Sequence, residues 1–352
     1  MASLRYTTDA MPGLYRRRRG RGFAYLDARG RTVRDAAIIA RIRHLAIPPA
    51  YTDVWICSDA RGHLQATGRD ARGRKQYRYH AAWQAERGAR KYDRLIAFAE
   101  ALPRLRRQVR ADLALPGFPR RKVVALVVAL LGHTLLRVGN ASYQKDNGSY
   151  GLTTLRNVHA HFVATGEVRF AFRGKGGKAL ESHVSDARLV RLVRQCRQLP
   201  GQALFQYREN GTVQRITSSD VNDYLQQHLQ GEYSAKDFRT LGATLFAFRA
   251  LATVDVPAEG DEQRGQVRQA VLRGAADLLG NTPRICEKNY VDPRVFAGWE
   301  TGQLQRVARG ASGPRQWENA AVRFLRRAQR GHAAQRTHAS SRLIATNVSG
   351  VK

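Results

Sequence analysis

The side chains of this chain that could do chemistry are mostly cations: it has 60 lysines and arginines, 13 tyrosines and three cysteines. Transfer of a phosphoryl group needs positive donors around the phosphate oxygens, a nucleophile, and a proton for the leaving oxygen. Arginine suits the first task because its planar fork meets two oxygens and keeps its charge. Chemistry on a phosphodiester is therefore within reach, but composition alone cannot choose among so many cations.

Motifs for metal or nucleotide chemistry are missing from the sequence. Cys57, Cys196 and Cys286 are scattered, and no pair has the spacing of metal ligands. Gly174-Lys175 lacks both the spacing and the Ser/Thr of a nucleotide-binding phosphate loop. A tyrosine has a pKa near ~10 and needs neighbouring cations to act as a nucleophile. Arginine and lysine can supply them, so we expect no metal site and no cofactor.

Length and charge indicate how many domains the chain has and what kind of partner it binds. The 352 residues suggest two or three domains, and 28 acidic residues leave a formal net charge of +32. With 43% hydrophobic residues, the chain can build a core, which excludes a wholly disordered basic protein. Such a charge repels itself in a compact fold, so a polyanion is the expected partner.

The longest apolar stretch, Val123–Leu136, contains Gly132 and His133 and is too short for a membrane span. It predicts a buried helix, and we expect no membrane association. The N-terminus has no apolar segment typical of a signal peptide. We therefore expect a cytoplasmic, reducing environment, in agreement with the scattered cysteines.

The elements fall into a β-rich N-terminal domain over 1–90, a mostly helical domain over 91–330 and an irregular basic tail over 331–352. This is an α+β fold. In the second domain, Val168, Phe170 and Phe172 alternate with polar or small residues, and a second strand follows the turn 174–178. These two strands form the one small β-hairpin that we predict there. Arginines 16–19 are interpreted as a flexible or solvated segment.

Five segments, in order, resemble the type IB DNA topoisomerases, in the compact poxvirus-like form found in bacteria. They are IPPAYTDVWICSDARGHLQATGRDARGRKQYRYH (47–80), LLRVGNASYQKDNGSYGLTTLRNVH (135–159), FRGKGGK (172–178), KDFRTLGAT (236–244) and GNTPRICEKNY (280–290). Each motif alone is weak evidence for the family, but the five motifs stand in the family order and together span most of the chain. The resemblance implies the catalytic fold shared by tyrosine recombinases and type IB topoisomerases.

The resemblance also implies a role for each catalytic residue. Tyr290 would attack a backbone phosphate, giving a 3′-phosphotyrosyl link and a free 5′-hydroxyl. Arg137 and Arg239 would bind the non-bridging oxygens, and Lys175 would protonate the leaving oxygen, with Lys178 as a rival donor. At the fifth position the family usually has histidine, whereas this chain has Asn281. An amide can donate a hydrogen bond but carries no proton or charge, so we expect a neutral donor and a slower chemical step.

The implied activity is relaxation of positive and negative supercoils without ATP, because the tyrosyl ester would keep the energy of the broken bond. The protein would be a monomer that closes around double-stranded DNA in the nucleoid. Cations and aromatics interleave over 74–79, as expected of a surface that follows the DNA backbone. The expected DNA-binding residues are Gln65, Arg74, Lys75, Tyr77, Arg78, Tyr143, Lys145 and Lys236.

One geometric expectation concerns Asn281 and Tyr290. Thr282 and Pro283 are typical of an N-cap and first helical position. A straight helix from there would separate Asn281 from Tyr290 by ~13 Å, although both must reach one phosphate. Either the helix ends before Tyr290 or the tyrosine side chain points back.

Two other functions stay open from sequence. A tyrosine site-specific recombinase shares the fold and the tyrosyl chemistry, but it usually has a histidine where this chain has Lys236. A non-catalytic architectural DNA-binding protein is the second alternative, and only the departure at Asn281 hints at it.

Overall fold

The computed structural model describes residues 4–209 and 211–348, and only the backbone of 85–87, 89, 90, 143 and 332–348. The chain divides into unit 1, 1–92, and unit 2, 93–352. The division lies two residues after the boundary predicted at 90. It falls within helix α2, Ala81–Asp112.

Unit 1 is built on an antiparallel five-stranded sheet of order β2-β1-β3-β4-β5. Its small core contains Leu14, Ile42, Val54, Ile56 and Ala66. Its elements are β1 (Leu14–Arg19), β2 (Gly22–Leu26), α1 (Ala36–His44), β3 (Thr52–Ile56), β4 (Leu64–Arg69) and β5 (Lys75–Tyr79).

Arginines 16–19, interpreted from sequence as flexible or solvated, instead lie in strand β1 and pair with β2. The Arg16 guanidinium donates to the carbonyls of Ile47, Pro48 and Tyr51. The segment is therefore not a flexible arm, because carbonyl partners more than 30 residues away make Arg16 part of the fold. Arg17, Arg18 and Arg19 are exposed, in agreement with the solvated alternative.

Unit 2 is mainly helical and contains two small antiparallel sheets. The three-stranded sheet has the order β6-β7-β8, and β9 pairs with β10. Its strands are β6 (Ala160–Phe162), β7 (Val168–Arg173), β8 (Ala179–Val184), β9 (Gln206–Glu209) and β10 (Thr212–Arg215). The predicted hairpin is β7–β8, with Val168, Phe170 and Phe172 buried. The prediction of a single hairpin was wrong, because β9–β10 forms another.

Helix α3 (Arg120–Thr134) of unit 2 is buried along most of its length and packs against α5, α6 and α7. The buried helix predicted from Val123 onward is thus confirmed. After α2, the helices are α3 (Arg120–Thr134), α4 (Ala141–Asn147), α5 (Ala187–Arg197), α6 (Ser218–His228), α7 (Ala235–Ala252), α8 (Glu262–Leu279), α9 (Pro283–Asn289), α10 (Pro293–Glu300), α11 (Gln303–Ala308) and α12 (Pro314–Val348).

Helix α12 continues past Gly331, where the sequence predicted an irregular tail, as far as Val348. No proline follows Pro314, and alanines recur over 333–345. This composition allows a helix, since one interior glycine costs only about 1 kcal/mol. The helical backbone thus extends beyond residue 331, while residues 349–352 of the predicted tail lie outside the described residues.

Candidate active site

A cavity of about 620 Å³ in unit 2 brings four of the five predicted catalytic residues together: Arg137, Lys175, Arg239 and Tyr290 line it, as does Lys236. They come from four places in the chain: the segment after α3, the β7–β8 turn, the first turns of α7, and the end of α9. Asn281 does not line this cavity but contacts Arg137, which does.

The end of helix α9 positions Tyr290. Thr282 is the N-cap, with Pro283 in the first turn, as predicted. The helix ends at Asn289, and Tyr290 leaves the helical conformation with φ −133° and ψ −32°. Of the two geometric expectations, the break before Tyr290 is the one observed.

Helix α7 fixes the backbone around Tyr290 from the other side. The hydroxyl of Thr244, fully buried, donates to the Tyr290 carbonyl at 3.1 Å and accepts from the Asp292 amide at 3.2 Å. The backbone of Tyr290 is thus held by α7, the same helix that carries Arg239. Thr244 is the last residue of the motif 236–244, but nothing local in the sequence marks a hydroxyl whose partners lie 46 and 48 residues away.

Arg239 is a buried cation, 4% exposed. Its two terminal nitrogens donate to the carbonyls of Leu135 and Leu279, the latter at 2.9 Å. Its guanidinium carbon lies 5.3 Å from the centre of the Tyr290 ring. No atom of the described residues accepts a hydrogen bond from its Nε. A buried donor without a partner is costly, so this nitrogen is available to an incoming acceptor.

The pKa of Tyr290 reflects opposing effects. Burial by itself raises the pKa of the hydroxyl, since it disfavours the charged form. Arg239, Arg137 and Lys236 oppose burial and outweigh it, so the pKa of Tyr290 lies below that of free tyrosine. A tyrosine that ionises more readily is a better nucleophile near neutral pH.

Asn281 holds Arg137. Arg137 Nη2 donates to Asn281 Oδ1 at 2.6 Å, and Nη1 of the same guanidinium has no partner in the part of the chain that the structure describes. Because a guanidinium only donates, the asparagine oxygen must be the atom that faces it. Asn281 Nδ2 has no oxygen or nitrogen acceptor, and the side chain lies against the Cys286 thiol. The structure therefore adds an acceptor role to the donor role expected from sequence.

The β7–β8 turn carries two exposed lysines, Lys175 and Lys178. Lys175 lines the cavity, whereas Lys178 Nζ donates to the Asn281 carbonyl at 3.3 Å. Leu180 anchors the turn. A Cβ added at Gly174 or at Gly280 would lie 2.3 or 2.4 Å from its methyl carbons, so both glycines make room for this leucine. The hairpin is thereby packed against the end of α8, beside Asn281.

The remaining residues predicted to bind DNA in unit 2 differ in placement. Lys236 is exposed at the cavity, and Lys145 is exposed on α4 but does not line the cavity. The side chain of Tyr143 lies outside the described residues.

In unit 1, the edge strand β5 carries the exposed predicted contacts Lys75, Tyr77 and Arg78, and the exposed Arg74 directly precedes the strand. These four residues form a cluster. Lys75 pairs with Asp9 and lies 5.8 Å from the centre of the Tyr77 ring, which is 49% exposed. Arg74 pairs with Asp70 at 2.7 Å. The cluster presents cations and an aromatic ring to solvent, and its contact with DNA stays a prediction.

Gln65 was predicted to bind DNA, but its side chain is buried in unit 1. It is 3% exposed, its oxygen accepts from Arg41, and its amide nitrogen donates to the carbonyls of Asp59, Ala60 and Gly62. All of its polar atoms are used within unit 1. Gln65 thus stabilises a loop and offers no free group to a DNA groove.

Within the part of the chain that the structure describes, no helix is long and apolar enough to cross a membrane. In the same residues, no three His, Cys, Asp or Glu side chains are grouped so that they could hold a metal ion.

Comparison with known proteins agrees with the resemblance of the sequence motifs. The family model described as the catalytic core of eukaryotic DNA topoisomerase I matches residues 80–297. The N-terminal domain of bacterial DNA topoisomerase IB matches residues 22–70. DNA topoisomerase 1B of Acanthamoeba polyphaga mimivirus is 30% identical over 289 residues, which cover 80% of this chain and 85% of the relative. DNA topoisomerase 1B of Vaccinia virus (strain Copenhagen) is 22% identical over 262 residues, covering 72% and 80%.

Proposed function

This chain belongs to the type IB DNA topoisomerases, enzymes that act on DNA as isomerases, and from that premise we propose that Tyr290 is its nucleophile. The observation that carries the proposal is the position of Tyr290. It lines one cavity with Arg137, Arg239 and Lys236, and these three cations lower the pKa of its hydroxyl despite burial.

The proposed reaction is a reversible exchange of esters. The Tyr290 oxygen attacks phosphorus, the bond to the 5′ oxygen breaks, and a 3′-phosphotyrosyl ester remains. In religation the 5′-hydroxyl attacks the same phosphorus and releases Tyr290. One phosphodiester replaces another in each direction, so neither step needs ATP. Rotation between the two steps relaxes supercoils of either sign.

We assign Arg239 and Arg137 to the charge that develops on the phosphate. Each guanidinium has one nitrogen without a hydrogen-bond partner, Nε of Arg239 and Nη1 of Arg137. Preorganised donors of this kind stabilise a transition state because they need not reorganise as the charge develops. Asn281 acts by holding Arg137 through its oxygen and by offering its amide to the phosphate.

Lys175 is the proposed proton donor to the 5′ oxygen, and Lys178 is a positioning residue. The exposed ammonium of Lys175 lies at the cavity, while that of Lys178 is engaged by the Asn281 carbonyl. In the closing step, Lys175 would take the proton back from the 5′-hydroxyl.

We further propose that the substrate is double-stranded DNA, that the protein acts as a monomer and is associated with the nucleoid, and that unit 2 has the fold of the tyrosine recombinases. The formal charge of +32 and the exposed cations of β5 support binding to a phosphate backbone. Binding should weaken steeply with salt, because each neutralised phosphate releases counterions. Sequence preference should be modest, since phosphate contacts carry no base information.

The first test is relaxation of positively and negatively supercoiled plasmids without ATP and with EDTA. Wild type should relax both, while Tyr290→Phe should relax neither and still retard the plasmid in a gel. Tyr233→Phe is the matched control, since Tyr233 is buried outside the cavity and its ring packs on Phe98, a contact that phenylalanine keeps. Relaxation by Tyr290→Phe would refute the proposed nucleophile, and binding without relaxation by wild type would refute the mechanism.

The proton donor is tested by changing the leaving atom. A duplex with sulfur in place of the scissile 5′ oxygen needs no proton donor, because a thiol has a pKa near ~8.5. Lys175→Ala should cleave the oxygen-linked duplex at least about a hundredfold more slowly and the sulfur-linked duplex at close to the wild-type rate. Lys178→Ala is the matched control and should show no such selective recovery. If only Lys178→Ala recovered its cleavage rate on the sulfur-linked duplex, Lys178 would be the proton donor and Lys175 the positioning residue.

A further inference from the structure

Two helix C-termini converge on Arg239. The Leu135 carbonyl stands at the end of α3 and the Leu279 carbonyl at the end of α8. Helix C-termini carry partial negative charge, which favours a guanidinium. Each helix ends with a left-handed residue, Gly280 with φ 59° and Leu135 with φ 52°. Glycine adopts this conformation freely, whereas leucine rarely does.

The side chain of Leu135 fits into a notch on α7. A Cβ added at Gly242 would lie 2.2 Å from Leu135 Cδ1 and 3.0 Å from its Cγ, so only glycine leaves room for the leucine as it stands. Leu135 is 8% exposed, and its amide donates to the Leu131 carbonyl. The notch lies three residues after Arg239 on the same helix. Helix α7 therefore presents both the arginine and the surface that receives Leu135.

We propose that Leu135 is a positioning residue for Arg239. The left-handed backbone at Leu135 directs its carbonyl to Arg239 Nη1, and this contact orients the guanidinium. The Gly242 notch makes room for the leucine side chain, so that the backbone can keep this position. With both terminal nitrogens held by carbonyls, the fork cannot turn freely, and its Nε stays without a protein partner. This inference rests on the role proposed for Arg239 and names what orients that residue.

If Leu135 acts through its backbone, two substitutions at this position should slow DNA cleavage in one order, and if it acts only by packing, they should do so in the opposite order. Leu135→Gly removes the whole side chain but adopts the left-handed conformation without penalty, so the carbonyl can stay in place. Leu135→Val keeps most of the apolar volume, but a β-branched residue strongly resists that conformation. If Leu135 only filled space, valine would be the milder change.

The test is the single-turnover rate of covalent complex formation on a DNA duplex, with enzyme in excess. Leu135→Val should slow it by about tenfold or more, and Leu135→Gly should stay within about threefold of wild type, a scale set by the strain of forbidden backbone conformations. Non-covalent DNA affinity, measured with Tyr290→Phe added to each variant, should not change. The reverse order of rates, or a loss of affinity that matches the loss of rate, would overturn the proposal.

A second pair of variants keeps the test independent of whether Leu135→Val folds. Gly242→Ala should slow cleavage because its methyl displaces Leu135, and adding Leu135→Gly should restore much of the rate. Gly265→Ala, in α8 with no neighbour near the added methyl, is the matched control and should cleave normally. No recovery in the double variant would count against the proposal.

Arg239→Ala in the same assay separates this inference from the proposed function. A rate close to wild type for Arg239→Ala would refute the role of Arg239 itself. A slow Arg239→Ala together with a normal Gly242→Ala would refute only the positioning by Leu135.

Discussion

Replacement of Asn281 by alanine should slow DNA cleavage while leaving DNA affinity and folding intact. The change removes the oxygen that accepts from Arg137 Nη2 at 2.6 Å. Arg137 Nη1 already has no partner, so the guanidinium would lose a contact that fixes its plane. Asn281 is half-buried, and its removal opens no large cavity in the core.

The size of the effect follows from the kind of hydrogen bond. A bond to a charged group contributes about 1.5–3 kcal/mol. If the transition state alone depends on this orientation, the full amount appears as a rate loss of about 10- to 150-fold. Partial exposure to water reduces this figure, so we expect the lower half of the range.

The assay is the single-turnover cleavage rate at saturating enzyme, together with the affinity of the Tyr290→Phe form and the melting temperature. Asn281→His should cleave much faster than Asn281→Ala, since a neutral imidazole can accept from Arg137 through one nitrogen and donate through the other. Asn157→Ala, outside the cavity, is the control for loss of an asparagine and should cleave normally.

A cleavage rate for Asn281→Ala within twofold of wild type would refute the reasoning, because it would mean that Arg137 needs no partner in the reactive complex. Equal defects in Asn281→Ala and Asn281→His would refute it too, since only the alanine lacks both an acceptor and a donor.

The remaining predictions concern pH, backbone conformation and salt. Lys236→Gln removes a cation that lowers the pKa of Tyr290, so the rise of cleavage rate with pH should move to higher pH than in wild type; an unchanged profile would contradict it. Gly280→Ala should lower the free energy of unfolding by about 1–2 kcal/mol because of its φ of 59°, and by a further amount because the added methyl meets Leu180. Gly260→Ala, with φ 84° and open surroundings, should lose only the free energy that comes from the backbone conformation. Chemical denaturation measures both changes. The DNA affinity of Tyr290→Phe should fall linearly with salt on logarithmic axes, and Lys75→Ala should make that slope shallower by about one unit; an unchanged slope would remove Lys75 from the phosphate contacts.

The helices and strands that a short local sequence pattern marks were predicted from the sequence. Thr282 followed by Pro283 marks the start of α9 because the cap bonds its own first turn. Apolar residues alternate with polar or small ones at Val168, Phe170 and Phe172, and this pattern marks β7 because successive residues of a strand face opposite sides. Helix α7 begins at Ala235, directly after the capping box of Ser234 and Asp237.

The sequence by itself also determined the family, because five motifs that resemble it stand in the family order, and from them came the catalytic set that we propose. Only the tertiary structure decided how these residues are held. Arg239 bonds carbonyls 104 and 40 residues away, and Arg137 bonds an amide 144 residues away. The burial of Gln65 depended in the same way on partners in the folded unit, including Arg41. Carbonyl groups are present at every position, so no side-chain pattern shows which of them an arginine will meet; packing of the helices makes that choice.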